Sequence, residues 1–172
     1  MKIFDNVHDI VRDDLAVTIR KGSRVSIAAA CFSMYAFEEL KKQLEQVDEF
    51  RFIFTSPTFI QEREEKQKRE FYIPRLSRET SLYGTEFEIK LRNEMTQRAI
   101  AKECAQWISS KAVFKSNTTG ENMGGFMTVA SGDEQTAYMP INGFTTVDIG
   151  CERGNNSYNM VNRSLRPTRP PR

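Results

Sequence analysis

The sequence predicts an α/β fold built on a mixed, mostly parallel sheet that is flanked by helices. Two patterns indicate this fold class. A strand, a helix and a second strand follow one another between residues 24 and 56, which is the arrangement that joins parallel strands. Four short β-like runs separated by glycine and polar turns then occupy residues 112 to 150, as is typical of an antiparallel or mixed sheet edge. The length of 172 residues favours one domain.

The first helix is predicted over residues 6–21. Apolar residues recur there every four positions from Val7 to Ile19, and Gly22 can end the helix. The strand "RVSIAAACFS" follows, with apolar or small residues on both of its faces. That composition suits the centre of a sheet that is covered on both sides.

Three further segments complete the predicted order. An amphipathic helix is expected over residues 35–47, and it leads into the strand "EFRFIFTS". Residues 61–84 are dense in mixed charge, so we expect a solvated helix or arm, or alternatively a flap over the sheet edge that carries Arg69, Arg75 and Arg78. A long helix over residues 93–111 presents an apolar stripe that is expected to join the core.

The net charge of +2 is unevenly distributed along the chain. The last ten residues, "RSLRPTRPPR", hold four arginines and no acid, so residues 1–162 carry about −2. Bulk charge therefore gives no support for nucleic-acid binding by the folded part. Any such binding requires a local cationic patch.

The chemistry-bearing residues exclude several classes of site. Cys31, Cys104 and Cys151 lie far apart in the sequence, and His8 is the only histidine, so a zinc site is not expected. No phosphate-binding Walker loop occurs, and no nucleophile has an evident partner base. We expect no cofactor and no metal. The absence of a long apolar run and of a signal-peptide pattern favours a cytoplasmic protein with no membrane partner.

Small polar residues follow the predicted parallel strands, at the edge where open α/β sheets bind their ligands. They could donate hydrogen bonds to phosphate or sugar oxygens, or they could simply begin loops. Together with basic residues of the charged arm and polar residues of the later strands, they form the candidate nucleic-acid-binding set. Its members are Ser33, Ser56, Arg69, Arg75, Lys115, Ser116, Asn117, Asn142 and Thr145.

Several stretches resemble the phospholipase D-like superfamily, namely "VSIAAACFSMYAFEEL", "FRFIFTSPTF" and the turn "PINGFTTVDIG". The resemblance implies a phospholipase D-like half-unit. Active members carry a His-x-Lys-x-x-x-x-Asp motif on a later strand. The correspondence places Met123 at the histidine, Gly125 at the lysine and Ala130 at the acid, which implies a pseudoenzyme with no catalytic residue.

A closer resemblance extends over residues 1–163. The blocks "KGSRVSIAAACFSMYAFEELKKQLE", "SLYGTEFEIKLRNEMTQRAIAKECAQWI" and "GFTTVDIGCERGNN" resemble the N-terminal phospholipase D-like domain of bacterial superfamily-two, Swi/Snf-like DNA helicases. In that family a helicase motor follows this domain. We therefore expect a domain over residues 1–163 and a disordered basic proline- and arginine-rich tail over residues 164–172.

The resemblance implies a catalytically degenerate accessory module that positions DNA or docks the motor, with DNA, the motor of longer relatives and a second copy of the chain as partners. One alternative is a phosphodiesterase or nuclease of the same superfamily. Another is a purely structural dimerisation unit. The missing histidine separates the first hypothesis from the second, and salt-dependent DNA binding separates it from the third.

Overall fold

The computed structural model describes residues 1–55, 86–152 and 160–167, with the side chains of 86–94 and of 167 left out of the description. Seven strands and four helices lie within these ranges. In chain order they are β1 (Lys2–Phe4), α1 (Val11–Thr18), β2 (Arg24–Ala29), α2 (Met34–Glu39), α3 (Lys41–Leu44), β3 (Glu49–Phe54), α4 (Glu86–Lys111), β4 (Ala112–Ser116), β5 (Phe126–Ser131), β6 (Glu134–Met139) and β7 (Val161–Pro167).

The seven strands form one mixed sheet in the order β1-β7-β6-β5-β2-β3-β4. Only the β2–β3 and β3–β4 pairs are parallel, whereas the other four pairs are antiparallel. The prediction of a mostly parallel sheet was therefore wrong. The physical reason lies in which strands meet: β2 pairs antiparallel with β5, and β1 and β7, which the sequence did not predict as strands, extend the antiparallel part of the sheet.

The hydrophobic core lies on one face of this sheet, which we call the core face. Phe50 and Phe52 point into it, and the buried residues of all four helices belong to the same cluster. The Trp107 ring of α4 packs against Phe37 and Phe50 at centroid distances of 4.9 and 4.8 Å, and its indole N–H donates to the Leu44 carbonyl at 3.0 Å. The predicted apolar stripe on the long helix is confirmed at Trp107, which is buried.

A buried polar contact fixes α1 on the core face. The Tyr138 hydroxyl donates to Asp14 Oδ2 at 2.7 Å and lies 3.0 Å from the Thr18 hydroxyl. Arg163 of β7 approaches the same carboxylate, with 3.3 Å between Nε and Oδ2. Burial is the main reason that the pKa of Tyr138 is raised, so the phenol stays protonated and continues to donate. α1 is thereby tied to both β6 and β7.

The first helix is shorter than predicted because polar side chains in the preceding turn compete with helical hydrogen bonds. The Asp5 carboxylate accepts from the backbone N–H groups of Val7, His8 and Asp9 at 2.9, 2.8 and 3.1 Å. Asn6 has a φ of 55°, outside the helical range. Residues 6–10 therefore form a turn, and the helix begins at Val11.

The second predicted helix is divided into α2 and α3 at Leu40. This residue has a φ of −115° and a ψ of 13°, which departs from helical geometry. The β-like run at residues 145–150 is not a strand either. A backbone bond from Ile149 to the Thr145 carbonyl closes a helical turn there, and only an isolated bridge between Phe32 and Phe144 precedes it.

The tail that was predicted to be disordered from residue 164 is partly ordered. Residues 164–167 belong to β7 and pair antiparallel with β6, with Gln135 opposite Arg166. Residues 168–172 lie outside the described part of the chain. The sequence missed β7 because polar residues, Asn162 to Ser164 and Arg166, separate its few apolar residues, which weakens the apolar pattern. Among the described residues, no helix has both the length and the apolarity needed to cross a bilayer.

Candidate nucleic-acid interface

The second face of the sheet, which we call the open face, is presented by Ser26 and Ala28 of β2 and by the residues in register with them. Side chains alternate along a strand, so this face is opposite to the core face. Within residues 1–55, 86–152 and 160–167, the buried side chains of the helices all belong to the core cluster on the other side. The prediction that β2 is covered on both faces is therefore not met by the described helices.

Cations predominate on the open face. Strand register places Arg24, Arg51, Lys115 and Arg166 there, against a single acid, Glu49. Glu49 is paired with Arg51 on its own strand, with 2.7 Å between Oε1 and Nη2. Within the described ranges, the other three cations have no acid partner within ion-pair distance. Although residues 1–162 are acidic on average, this face is a local basic patch.

A groove of about 640 Å³ crosses the open face between β5 and β4. Its floor is formed by the small residues Ser26 and Ala28. Phe126 stands on one side of the floor, with 37% of its surface exposed, while Arg51 and Lys115 stand on the other, where Glu49, the ion-pair partner of Arg51, also lines the groove. The groove thus combines an accessible aromatic ring with two long cationic side chains.

The groove runs across the strands along a line of residues that are register partners. Phe126, Ala28, Ile53 and Lys115 are successive partners across four neighbouring strands, β5, β2, β3 and β4. Phe126 and Lys115 are therefore three strand spacings apart, or about 14 Å at ~4.8 Å per spacing. One compact anion cannot contact both, whereas an extended ligand can.

Outside the groove, the carboxyl ends of the three parallel strands share one sheet edge, as the sequence predicts. Asn117, which follows β4 at this edge, is buried, and its amide serves the local backbone. Its Nδ2 donates to the carbonyls of Thr55 and Glu121 at 3.3 and 2.8 Å, and its Oδ1 accepts from the N–H and hydroxyl of Thr119. Asn117 therefore stabilises the turn after β4, and few of its hydrogen-bonding groups remain for a ligand.

The loop that contains Asn142 and Thr145 lies over the end of β2 and approaches Ser33. Backbone bonds join Ala30 to the Asn142 carbonyl at 2.8 Å and Ser33 to the Phe144 carbonyl at 2.9 Å. The Ser33 hydroxyl caps α2 by accepting from the Tyr35 N–H at 3.2 Å. The structure thus brings the loop with Asn142 and Thr145 to Ser33, whereas Asn117 bonds to Thr55, Thr119 and Glu121.

The same loop carries an acidic side chain, Asp148. Thr145 donates its hydroxyl to Asp148 Oδ2 at 2.5 Å. The pKa of Asp148 is raised mainly by burial, and this effect is partly offset by hydrogen bonds from Thr145 and from the Gly143 N–H. Where Asp148 ionises, its charge repels a phosphate. The edge is therefore less suited to a polyanion than the open face is.

Two of the remaining candidates lie on β4. Lys115 points to the open face, whereas Ser116, its neighbour, is in register with Phe54 on the core face. Ser56, Arg69 and Arg75 lie outside the described residues. The sequence reasoning missed Arg24, Arg51, Arg166 and Phe126. The signal that could have found Arg24 and Arg51 is the two-residue alternation of "RVSIAA" and "EFRFIF", which places both arginines opposite the apolar face.

The positions that correspond to the phospholipase D motif also have definite surroundings. A Cβ built on Gly125 would stand 1.6 Å from the carbonyl oxygen of Ile141, so this backbone has no space for a lysine side chain. Met123 lines the groove, and Ala130 lies on the open face opposite Arg24. Across the described ranges, no group of three His, Cys, Asp or Glu side chains could hold a metal ion.

Comparison of the chain with protein-family models, with curated proteins and with solved structures gives no significant match. The likeness to phospholipase D-like domains therefore rests on the sequence blocks alone. The geometry of the open face stands independently of it.

Proposed function

We propose that this chain is a non-catalytic, phospholipase D-like module that binds DNA through the open face of its sheet. In longer relatives with a helicase motor, the module would position DNA for that motor, as the sequence resemblance implies. The observation that carries the proposal is the charge of the open face, where four cations accompany one acid.

The charge distribution supports a polyanionic partner. Three cations of the open face lack an acid partner among the described residues, and they are spread over β2, β4 and β7. A DNA backbone carries regularly spaced phosphates and can meet several such charges at once, with release of condensed counterions. Three neutralised phosphates correspond to a slope of about −3 in log affinity against log salt for duplex DNA.

A second candidate is a homodimer, which the dimerisation hypothesis expects, and we propose the same face as its interface. The observation that favours it is the exposure of apolar strand residues on the open face, with Val113 at 48% and Met139 at 51%. A face-to-face pair would, however, bring two sets of like charges together. This repulsion favours DNA over a second copy as the occupant.

The test is titration of labelled duplex DNA with the full chain at several salt concentrations. The variant Arg24→Gln, Lys115→Gln, Arg166→Gln removes the three cations of the open face that have no acid partner within the described ranges. The matched control Lys42→Gln, Arg98→Gln, Lys102→Gln removes the same charge from α3 and α4 on the core-face side. We expect the first variant to lose at least about tenfold in affinity at low salt and most of the salt slope, and the control to lose much less.

The arginine-rich end of the chain needs a separate control, because Arg169 and Arg172 could bind DNA without the sheet. The double variant Arg169→Gln, Arg172→Gln should retain most of the affinity. Abolished binding in this variant would contradict the proposal, as would equal losses in the two triple variants. Light scattering on the same samples tests the dimer, which should weaken when DNA is added if both occupy the open face.

A further inference from the structure

The structure also indicates which form of DNA fits the groove, an inference that rests on the proposed function. We infer that the groove binds single-stranded DNA, with an unpaired base stacked on Phe126 and the neighbouring phosphates held by Arg51 and Lys115.

The first support comes from the surroundings of the Phe126 ring. Every other phenylalanine whose side chain is described takes part in an aromatic contact with another ring, as Phe52 and Phe114 do at 5.3 Å. Phe126 takes part in none of these contacts, and it is partly exposed at the start of β5. An accessible aromatic ring on a sheet is the usual platform for stacking a nucleic-acid base.

The second support is the shape of the groove floor. Ser26 and Ala28 are small, and their neighbours on β3 and β5 are larger, so a depression forms along β2. A planar base can enter this depression beside the Phe126 ring. A bulky residue at position 28 would fill the space in which the base stacks.

The third support is the separation of the aromatic and cationic sides. Lys115 lies about 14 Å from Phe126 across the strands, and Arg51 lies in the adjacent row of the groove. A flexible single strand of DNA can stack a base on Phe126 and extend its backbone across Ile53 to the cationic side of the groove. The negative phosphates then meet Arg51 and Lys115.

A duplex fits this surface less well. Its bases are paired and stacked inside, so it presents mainly sugar and phosphate to a flat sheet. Phe126, Ile53, Val113 and Met123 would then face charged backbone without an apolar partner. A single strand presents unstacked base faces to the same side chains, and each stacked base adds affinity whatever its sequence.

The experiment compares a 20-nucleotide oligothymidine with a 20-base-pair duplex, both titrated with the full chain at low salt. We expect tighter binding of the single strand. Phe126→Ala should weaken single-strand binding about 5- to 150-fold, because a stacked base contributes ~1–3 kcal/mol. The same variant should change duplex binding much less. The matched control is Val17→Ala, which truncates an exposed apolar residue of α1, away from the open face.

Phe126→Leu and Phe126→Trp refine the result. Leucine keeps an apolar side chain without an aromatic face, so it should reproduce most of the loss even if the alanine variant folds poorly. Tryptophan should retain or strengthen binding. Duplex binding as tight as single-strand binding would overturn the inference and leave the proposed function standing. Absence of binding to either DNA would overturn both, and equal losses in Phe126→Ala and Val17→Ala would overturn the stacking role.

Discussion

The backbone of Gly125 packs directly against the carbonyl group of Ile141. A Cβ at position 125 would stand 1.6 Å from that oxygen and 3.2 Å from the carbonyl oxygen of Ala28. The Gly125 carbonyl also accepts a hydrogen bond from the Ile141 N–H at 3.0 Å. The glycine thus allows the segment after β6 to pass close to the start of β5, beside the groove.

We therefore expect Gly125→Ala to destabilise the protein by about 3 kcal/mol or more, because the obstructing atoms belong to the backbone and cannot turn aside. The neighbouring Gly124 provides a matched control, since an added Cβ there has nothing within 4 Å. Gly124→Ala should leave stability almost unchanged. Urea denaturation of both variants measures the difference, and similar midpoints for the two would contradict this account.

Hydrolysis of phosphodiesters is expected to be absent. The only histidine, His8, lies in the turn before α1, where its Nδ1 is 2.9 Å from Asp5 Oδ2 and its side chain is 87% exposed. A phosphohistidine mechanism needs an imidazole in a built site, with groups that orient it. Incubation with single-stranded and duplex DNA and with a chromogenic phosphodiester, with and without divalent metal, should give no turnover. Turnover that persists in His8→Ala would reveal a different active site.

The sequence was a good guide where local chemistry determines structure. The phenylalanines at every second position of "EFRFIFTS" predicted β3, and the stripe through Trp107 predicted the core face of α4. Strand direction was not predictable in the same way. It depends on which strands meet, and β2 pairs with β5 across about 100 intervening residues. Local periodicity carries no information about that partner.

The candidate site was predicted less well than the fold, for a related reason. Small polar residues at strand ends, such as Asn117, are used both by ligand sites and by ordinary turns, and Asn117 serves the turn. Arg24 and Arg51 become one surface with Lys115 and Arg166 only when the sheet aligns four separate strands. The net negative charge of residues 1–162, which include Arg24, Arg51 and Lys115, gives no sign of that surface.

The pH dependence of stability should contain a contribution from Asp148. Burial raises the pKa of Asp148 in the native state above the usual 3.8. Between the usual pKa and the raised one, the native state therefore binds more protons than the unfolded state does. Stability from this group is therefore greatest at low pH and falls as pH rises through the window that begins near 3.8. Asp148→Asn removes the ionisation, so its stability relative to the parent protein should rise with pH across that window.

The measurement is the free energy of unfolding from urea titrations of both proteins between about pH 3.5 and 7. Asp5 contributes with the opposite sign, because the hydrogen bond from His8 holds its pKa below the usual value. That contribution is common to the two proteins and cancels in their difference. A difference that falls with rising pH would mean that native Asp148 is stabilised as a carboxylate instead.

The last prediction concerns the thiol of Cys31, which lies near the same acid. A Cβ on Gly143 would be 2.7 Å from both Cys31 Sγ and Asp148 Oδ2, so the two side chains converge on this glycine. The pKa of Cys31 is raised by partial burial and then by the charge of Asp148, whereas burial raises the pKa of Cys104 to about 11. Of these two thiols, only Cys31 has its pKa raised by a neighbouring charge, that of Asp148, and this charge can be removed by substitution.

We expect Cys31 to alkylate before Cys104 at about pH 8, because Cys31 is exposed and Cys104 is buried. Asp148→Asn should accelerate alkylation of Cys31, since the thiolate is the reactive form and its neighbouring negative charge is gone. Asp133→Asn, which removes an exposed acid from the β5–β6 turn, controls for net charge and should leave the rate unchanged. Iodoacetamide labelling followed by peptide mass spectrometry gives each rate. If both asparagine variants accelerate the reaction equally, long-range charge rather than contact with Asp148 controls Cys31. An unchanged rate in Asp148→Asn would place the control in burial alone.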